Sequence, residues 1–244
     1  MELKPKLIHV IQRAYEEECF LVSQSDATAN AEVGTFGHWS LKDIIAHLAA
    51  WQAYDAANID ALRQGRPCRT IDDVHAANQA IFDAHREQAW SGVLRYAEES
   101  NATVLRLATE MEVSVLTCVS APWAGERALW EVLVASGYVH PLIHLSEYHR
   151  LNGDTSYAID LWEEAAGLLE RLSSEPRWLG TVAYNLACAY SLGGRLDEAA
   201  HALREGLQLR SDLRDVAVAD ADLTALRECV NNQELFAPIE EECG

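Results

Sequence analysis

Residues 37–51 read GHWSLKDIIAHLAAW, and this stretch marks the start of a long amphipathic helix. Ser40 is a residue type that caps helix N-termini, and Asp43 stands three positions later, where the reciprocal side chain of a capping box belongs. Apolar residues then recur at helical spacing, namely Leu41, Ile44, Ile45, Leu48 and Trp51. We therefore predict a helix from about residue 41 to about residue 64, ended by Gly65 and Pro67.

Three further long helices are predicted around this one. The same apolar periodicity covers residues from about 4 to 23, from about 72 to 111 and from about 126 to 151. In the second of these, a break near residues 88–91 is an alternative to one continuous helix. Four amphipathic helices bury their apolar stripes economically as a bundle. The sequence therefore predicts an all-α protein with a four-helix bundle over residues 1–152.

Two intervening stretches are predicted to be irregular. Residues 23–37 are rich in Ser, Asp, Thr, Asn and Gly, which is typical of a loop. Residues 112–124 are interpreted as a loop or a short extended segment, because Pro122 and Gly125 punctuate them.

The remainder, residues 153–244, is predicted to be a helical repeat segment. Helices are expected at about residues 158–172, 176–192 and 196–209. Six positions have the spacing of a tetratricopeptide (TPR) unit: Leu186, Ala187, Tyr190, Gly194, Ala199 and Leu203. A single unit cannot bury its own stripe, so we expect the first helix to pack beside it and residues 222–227 to cap the stack. The fold class is thus a four-helix bundle followed by a TPR-like helical hairpin repeat with a capping helix.

Composition narrows the classes of partner and compartment. The chain has 38 acidic and 19 basic residues, which argues against nucleic acid and anionic membranes as partners. No apolar run approaches the roughly 20 residues of a membrane-spanning helix. The charged N-terminus predicts no secretory signal, so we expect a cytoplasmic protein. Its six widely spaced cysteines are interpreted as reduced thiols rather than a disulfide framework.

Three histidines form a candidate metal site. His140 and His144 stand four residues apart, which places both on one helix face, about 5–6 Å apart between Cβ atoms. His47 lies at the edge of the apolar stripe of the preceding predicted helix. Three protein ligands with an open fourth position are typical of catalytic zinc. Pro141 leaves two outcomes open, since the helix can continue with a kink or start afresh there, and in the second case the rings would not converge.

The run Gly37–Trp51, together with Ala77–Phe82 and Gly137–His144, resembles the signature of the DinB-like (YfiT/maleylpyruvate-isomerase-like) four-helix bundles. It is most similar to the branch of colibactin self-protection and DfsB-type proteins. The resemblance implies an up-down-down-up bundle whose divalent metal is held by one His of the second helix and a His-x-x-x-His pair of the fourth. In this chain those ligands are His47, His140 and His144.

The resemblance also implies an activity, namely a metal-dependent hydrolase or thiol transferase acting on a small electrophilic or toxic metabolite in self-protection or detoxification. The expected cofactor is zinc, with nickel or manganese as alternatives, and the fourth position is expected to take water or a low-molecular-weight thiol co-substrate. A substrate pocket between the helices is predicted to be lined by aromatic residues: Trp39, Trp51, Trp130 and Tyr148. Aromatic residues at this spacing are also typical of a core.

Two other functions stay open at this stage. The first is a non-catalytic protein that binds a small molecule in the bundle or a protein partner through the TPR segment. The second is a bundle that has lost its metal, in which the histidines are hydrogen-bonded core residues. Glu126, His140 and Asp43 could serve as a catalytic acid or base, but nothing in the sequence pairs them, so the catalytic residues are left open. A homodimer is the assembly that related bundles often form.

Overall fold

The computed structural model describes residues 2–26 and 33–237, and the regular elements of these residues are helices apart from one short β-hairpin. The all-α prediction is therefore confirmed for this part of the chain. The predicted loop at residues 23–37 falls partly on residues 27–32, which lie outside the described residues. No helix within the described ranges is both long enough and apolar enough to cross a membrane.

Two compact units divide the chain, Met1–Leu145 and Ser146–Gly244. The predicted division between residues 152 and 153 lies seven residues further along. The structural division falls inside a helix that continues to Leu151, at a place where no turn or linker residue marks it.

The elements of the N-terminal unit follow the predicted order with added detail. They are α1 (Leu3–Gln24), α2 (Leu41–Arg63), α3 (Val74–His85), α4 (Trp90–Glu110), α5 (Val113–Cys118), the hairpin β1 (Ser120–Ala121) and β2 (Arg127–Ala128), α6 (Leu129–Val134) and α7 (His140–Leu151). The predicted break near residues 88–91 is present between α3 and α4. The stretch 112–124 is partly helical, because α5 lies within it. The last predicted helix begins at Leu129 rather than near Glu126, since Arg127 and Ala128 pair with β1.

Four long helical segments of this unit pack on one another. Helix α1 contacts α4 and α6, and α2 contacts α3, α4 and the turn that follows α6. Their shared core contains fully buried aliphatic side chains from each segment, among them Leu7, Ile11, Ile45, Leu48, Leu107, Leu133 and Leu145.

The start of α2 is fixed by the predicted capping box. The Ser40 Oγ accepts a hydrogen bond from the backbone N–H of Asp43 at 3.3 Å, and the Asp43 Oδ2 accepts one from the backbone N–H of Ser40 at 3.0 Å. Asp43 Oδ2 also accepts a hydrogen bond from the backbone N–H of Gly34 at 2.7 Å. A Cβ at Gly34 would lie 2.3 Å from the His38 carbonyl oxygen, so only glycine fits there. The Asp43 carboxylate thus holds the segment that precedes α2 against the first turn of the helix, one turn before His47.

A π-helical turn, Ala135–Val139, joins α6 to α7 and resolves the question that Pro141 poses. In this turn the backbone N–H of His140 donates to the carbonyl of Ala135, five residues back rather than four. In a regular α-helix the ring of Pro141 would clash with the carbonyl group four residues back. The wider turn takes the preceding carbonyls out of this α-helical register, so the clash is relieved. The helix therefore continues through Pro141 to Leu151.

Gly137, inside the π-helical turn, lets the turn approach its neighbours closely. A Cβ at this position would lie 3.0 Å from Val104 Cγ1 and 3.2 Å from Ile11 Cγ1. The turn therefore packs with its backbone against side chains of α4 and α1. His140 and His144 follow this turn directly along the chain.

The C-terminal unit contains the predicted repeat helices. They are α8 (Thr155–Leu169), α9 (Pro176–Leu192), α10 (Leu196–Leu209), α11 (Leu213–Ala219) and α12 (Thr224–Glu228), followed by a 3₁₀ helix at Val230–Phe236. Both α9 and α10 have the predicted bounds. Helix α9 packs on α10 and α8, and α12 contacts both α9 and α10. Ala187 and Ala199, expected where the two helices cross, are fully buried.

A buried polar cluster links three helices of the N-terminal unit. The Gln52 Nε2 on α2 donates to the Asn101 Oδ1 on α4 at 3.2 Å, and Glu18 on α1 hydrogen-bonds to Asn101. Glu18 is only 4% exposed. Burial raises the pKa of Glu18 to about 7, against the smaller opposite effect of the Asn101 hydrogen bond. The carboxyl is therefore neutral in the folded protein below that pH.

We expect Glu18→Gln to stabilise the protein at pH 8 and to have little effect at pH 4.5. Because the folded state holds this proton more tightly than the unfolded chain, stability is lost as the pH rises from the ordinary pKa of 4.5 to about 7. The shift corresponds to about 3 kcal/mol. Urea denaturation across this pH range measures the difference. The exposed Glu16→Gln variant should show no such pH-dependent gain, and an equal gain in both variants would contradict the assignment.

Gly137→Ala should destabilise the N-terminal unit by about 1–3 kcal/mol, because the new methyl group overpacks the contact with Val104 and Ile11. Urea denaturation followed by circular dichroism measures this change. In the matched control, Gly167→Ala, the new Cβ would meet only Arg171 Nη1 at 3.8 Å. There we expect a gain of about 0.5–1 kcal/mol from helix propensity. A stabilising Gly137→Ala would show that the approach is not tight.

Candidate metal centre

The three predicted ligands come together at one point. His47 lies in the second turn of α2, and His140 and His144 lie one turn apart in α7. The His140 Nε2 is 3.1 Å from the His47 Nε2 and 3.1 Å from the His144 Nε2. The ring centroids form a nearly equilateral triangle, with sides of 5.0, 4.9 and 4.9 Å. One nitrogen of each ring is therefore directed towards a common centre.

Hydrogen bonds between the three imidazoles satisfy their facing nitrogens poorly. A neutral imidazole has one N–H and one lone pair, and both lie in the ring plane. The His140 Nε2 carries only one of the two, so it can form one good hydrogen bond although it faces two nitrogens at the same distance. A tetrahedral ion with metal–nitrogen distances near 2.0–2.1 Å would place ligand nitrogens about 3.3 Å apart. The residues present fit a divalent ion on both counts.

Burial keeps the three imidazole rings neutral. Burial, followed by the neighbouring charges of His140 and His144, lowers the pKa of His47 from 6.5 to about 2. Burial and His144 lower the pKa of His140 to about 3, and burial lowers that of His144 to about 4. Neutral imidazoles have the free lone pairs that a metal ion requires.

Aromatic side chains surround the histidines. The Trp39 ring centroid is 4.4 Å from that of His47 and 5.7 Å from that of His144. The Trp51 ring lies 6.4 Å from both His47 and His140, and its Nε1 donates a hydrogen bond to the Asn78 Oδ1 at 3.0 Å. Asn78 fixes the orientation of this indole, a role that its place in the sequence did not reveal.

The other two predicted pocket residues have different surroundings. Trp130 is 9% exposed and belongs to the apolar core of the N-terminal unit. Tyr148 is half-buried and lies on α7, one turn beyond His144. The structure thus brings the rings of Trp39 and Trp51 to the histidines.

A small cavity lies on the α2 side of the cluster. It has a volume of about 10 Å³, lies beside His47 and is lined by Trp39, Asp43, Ala46 and Asn78 among others. This is about the volume that one water molecule needs. The His47 Nδ1 and the Trp39 Nε1 are both buried and have no hydrogen-bond partner among the described residues. By whole-residue exposure, His47 is 4% exposed, and His140 and His144 are half-buried.

Asp55 is a nearby carboxyl group that the sequence analysis missed. It follows His47 and Trp51 at four-residue intervals on α2, so the three share one helix face. Its Oδ1 accepts a hydrogen bond from the Trp123 Nε1 at 2.9 Å. Burial raises the pKa of Asp55, although Trp123, the nearby Ser136 hydroxyl and Arg127 act in the opposite direction. The four-residue repeat was the signal that could have revealed it.

A second group within metal-binding distance lies in the C-terminal unit, formed by Cys188, Asp220 and Asp222. Its atoms are already engaged with one another. The Tyr184 hydroxyl donates to the Asp220 Oδ2 at 2.6 Å, and the Asp222 backbone N–H donates to the Asp220 Oδ1 at 3.0 Å. Burial and the two carboxylates raise the pKa of the Cys188 thiol, so it stays protonated. These contacts hold α9 against the segment before α12, which is a structural role.

Comparisons with known proteins return no match to a family model, to a curated protein or to a solved structure.

The free energy of unfolding of the metal-free protein should fall as the pH is lowered below about 6.5. Each buried histidine takes up a proton in the unfolded chain but not in the folded one, which costs up to about 1.4 kcal/mol per pH unit. We expect His140→Gln to make this slope shallower by about that amount. Urea denaturation between pH 4.5 and 7 with a chelator present measures it, using the exposed His9→Gln as the control. Equal slopes in all three proteins would contradict the assignment.

Proposed function

We propose that this chain is a metal-dependent enzyme, a hydrolase or thiol transferase that acts on a small electrophilic metabolite. The single observation that carries the proposal is the convergence of the His47, His140 and His144 Nε2 atoms at spacings that a divalent ion bridges. Zinc is the ion we favour, because three neutral imidazoles are a common zinc donor set and leave a fourth position open.

The histidines and the tryptophans of the site have different roles in this proposal. The three imidazoles would hold the ion, and their burial keeps them neutral at the pH of the cell. Trp39 and Trp51 pack against the imidazoles of His47 and His140. An ion held there would supply positive charge that lowers the pKa of water or a thiol, which would give a nucleophile near neutral pH. Substrate would approach the open fourth position of the ion.

Within this proposal the N-terminal unit is a DinB-like bundle and the C-terminal unit a TPR-like segment. The support for the first is the capped run Gly37–Trp51 together with the His-x-x-x-His pair of α7. The support for the second is the α9–α10 hairpin, in which Gly206 approaches within contact distance of the backbone of Gly180 and Tyr184. Detoxification or self-protection is the role that these resemblances suggest.

Metal analysis of protein purified without a histidine tag tests the proposal. We expect one divalent transition-metal ion per chain after incubation with Zn²⁺, Ni²⁺ or Mn²⁺ and dialysis. His47→Ala and His144→Ala should each lose the ion, because two imidazoles no longer complete the site. His9→Ala, on the exposed face of α1, should keep it. A wild-type protein that binds none of these ions would overturn the proposal.

A turnover assay then tests whether the metal-loaded protein catalyses a reaction or only binds the electrophile. Metal-loaded protein is incubated with a model electrophile, with and without a low-molecular-weight thiol, and product is measured. An enzyme should give turnover that His47→Ala abolishes. Stoichiometric binding of the electrophile without turnover would instead favour a small-molecule-binding protein.

A further inference from the structure

An open groove of about 350 Å³ runs across three helices of the C-terminal unit. Its floor is formed by Ala166 of α8, Ala183 and Leu186 of α9, and Ala202 of α10. Three of these four side chains are single methyl groups, and this leaves room between the helices. The volume is at the lower end of the range for ligand pockets and is enough for a few side chains.

The rim of the groove is acidic. Glu170, Asp197, Glu198 and Glu205 line it, and no Lys or Arg does. Four of the ten lining residues are acidic, whereas only 38 of the 244 residues of the whole chain are. Acidic residues are therefore concentrated at the groove. The carboxylates of Glu170, Asp197 and Glu205 are exposed, and none of them forms an ion pair within the described ranges. A concave wall of one charge sign raises the local concentration of opposite charge.

One end of the groove already binds a cation of the chain itself. The guanidinium of Arg195 lies over the Tyr190 ring at 4.7 Å from the centroid. It donates hydrogen bonds to the Glu163 Oε1 at 2.7 Å and the Glu198 Oε1 at 2.9 Å. Tyr190 and Glu198 both line the groove. The contact shows that this surface accommodates a guanidinium between an aromatic face and carboxylates.

We propose that the groove binds a basic peptide segment of a partner protein, with an apolar side chain on the alanine floor and Arg or Lys side chains at Glu170 and Glu205. Charge complementarity selects this occupant. A second copy of this chain, with a net charge of −19, would be repelled, and so would its own C-terminal residues Glu240, Glu241 and Glu242. This binding site is independent of the candidate metal centre.

Fluorescence anisotropy tests the proposal on the full chain. The probe is a fluorescein-labelled peptide of sequence Gly-Arg-Leu-Arg-Leu-Arg-Gly, and its counterpart has Glu in place of each Arg. We expect the basic peptide to bind at low ionic strength and to lose affinity as salt is added, while the acidic peptide does not bind. Glu170→Gln/Glu205→Gln should weaken binding of the basic peptide by about tenfold or more.

The control variant removes the same charge elsewhere in the unit. Asp160→Asn/Glu228→Gln neutralises two exposed carboxylates that do not line the groove, and it should bind the basic peptide like the wild type. Thermal melting by circular dichroism shows whether each variant is folded. Equal weakening in both variants would mean that net charge alone attracts the peptide. That result, binding of the acidic peptide, or no binding of the basic one would overturn the proposal.

Discussion

The packing of Gly137 against α1 and α4 is the contact on which the candidate metal centre depends. A methyl group at Gly137 would lie 3.0 Å from Val104 and 3.2 Å from Ile11, so with any other residue these side chains would have to shift for the π-helical turn to stay at this depth. The same turn relieves the conflict with Pro141 and lets α7 continue, with His140 and His144 on one face. His47 reaches the same point from α2, whose first turn is held by Asp43. Backbone packing and a helix cap therefore position the imidazoles.

The two units place their polar groups in opposite ways. The N-terminal unit buries three imidazoles and the Glu18–Asn101–Gln52 cluster, and burial shifts the pKa of each titratable group towards its neutral form. Such groups cost stability unless they are hydrogen-bonded or bound to an ion, which is why they are candidates for function. The C-terminal unit has an alanine- and leucine-rich core and keeps most of its carboxylates at the surface. The groove proposed as a binding site is accordingly a surface feature of this unit.

Several parts of the fold could be predicted because they depend on local chemistry. The capping box at Ser40 and Asp43 marked the first turn of α2, and α9 begins at Pro176 as predicted. A short extended segment was one of the two alternatives for residues 112–124, but its pairing with Arg127 and Ala128 was not predicted, since two paired residues in each strand leave no periodic pattern. The start of α6 was placed too early for the same reason. Trp130 is buried in the N-terminal unit, and helical spacing alone does not distinguish a core position from a pocket lining.

From the sequence alone it follows that the chain is helical, that it has an acidic surface, and that His140 and His144 share one helix face, because these depend on composition and on residues a few positions apart. The convergence of His47 with that pair, the π-helical turn before Pro141, and the neutrality of Glu18 were decided by the tertiary structure. Each arises from groups 80 or more residues apart or from burial, and neither distance nor desolvation is encoded in local spacing. The acidic groove also depends on tertiary packing, since Asp197, Glu198 and Glu205 lie on α10 and meet Glu170, at the end of α8, only when these helices pack.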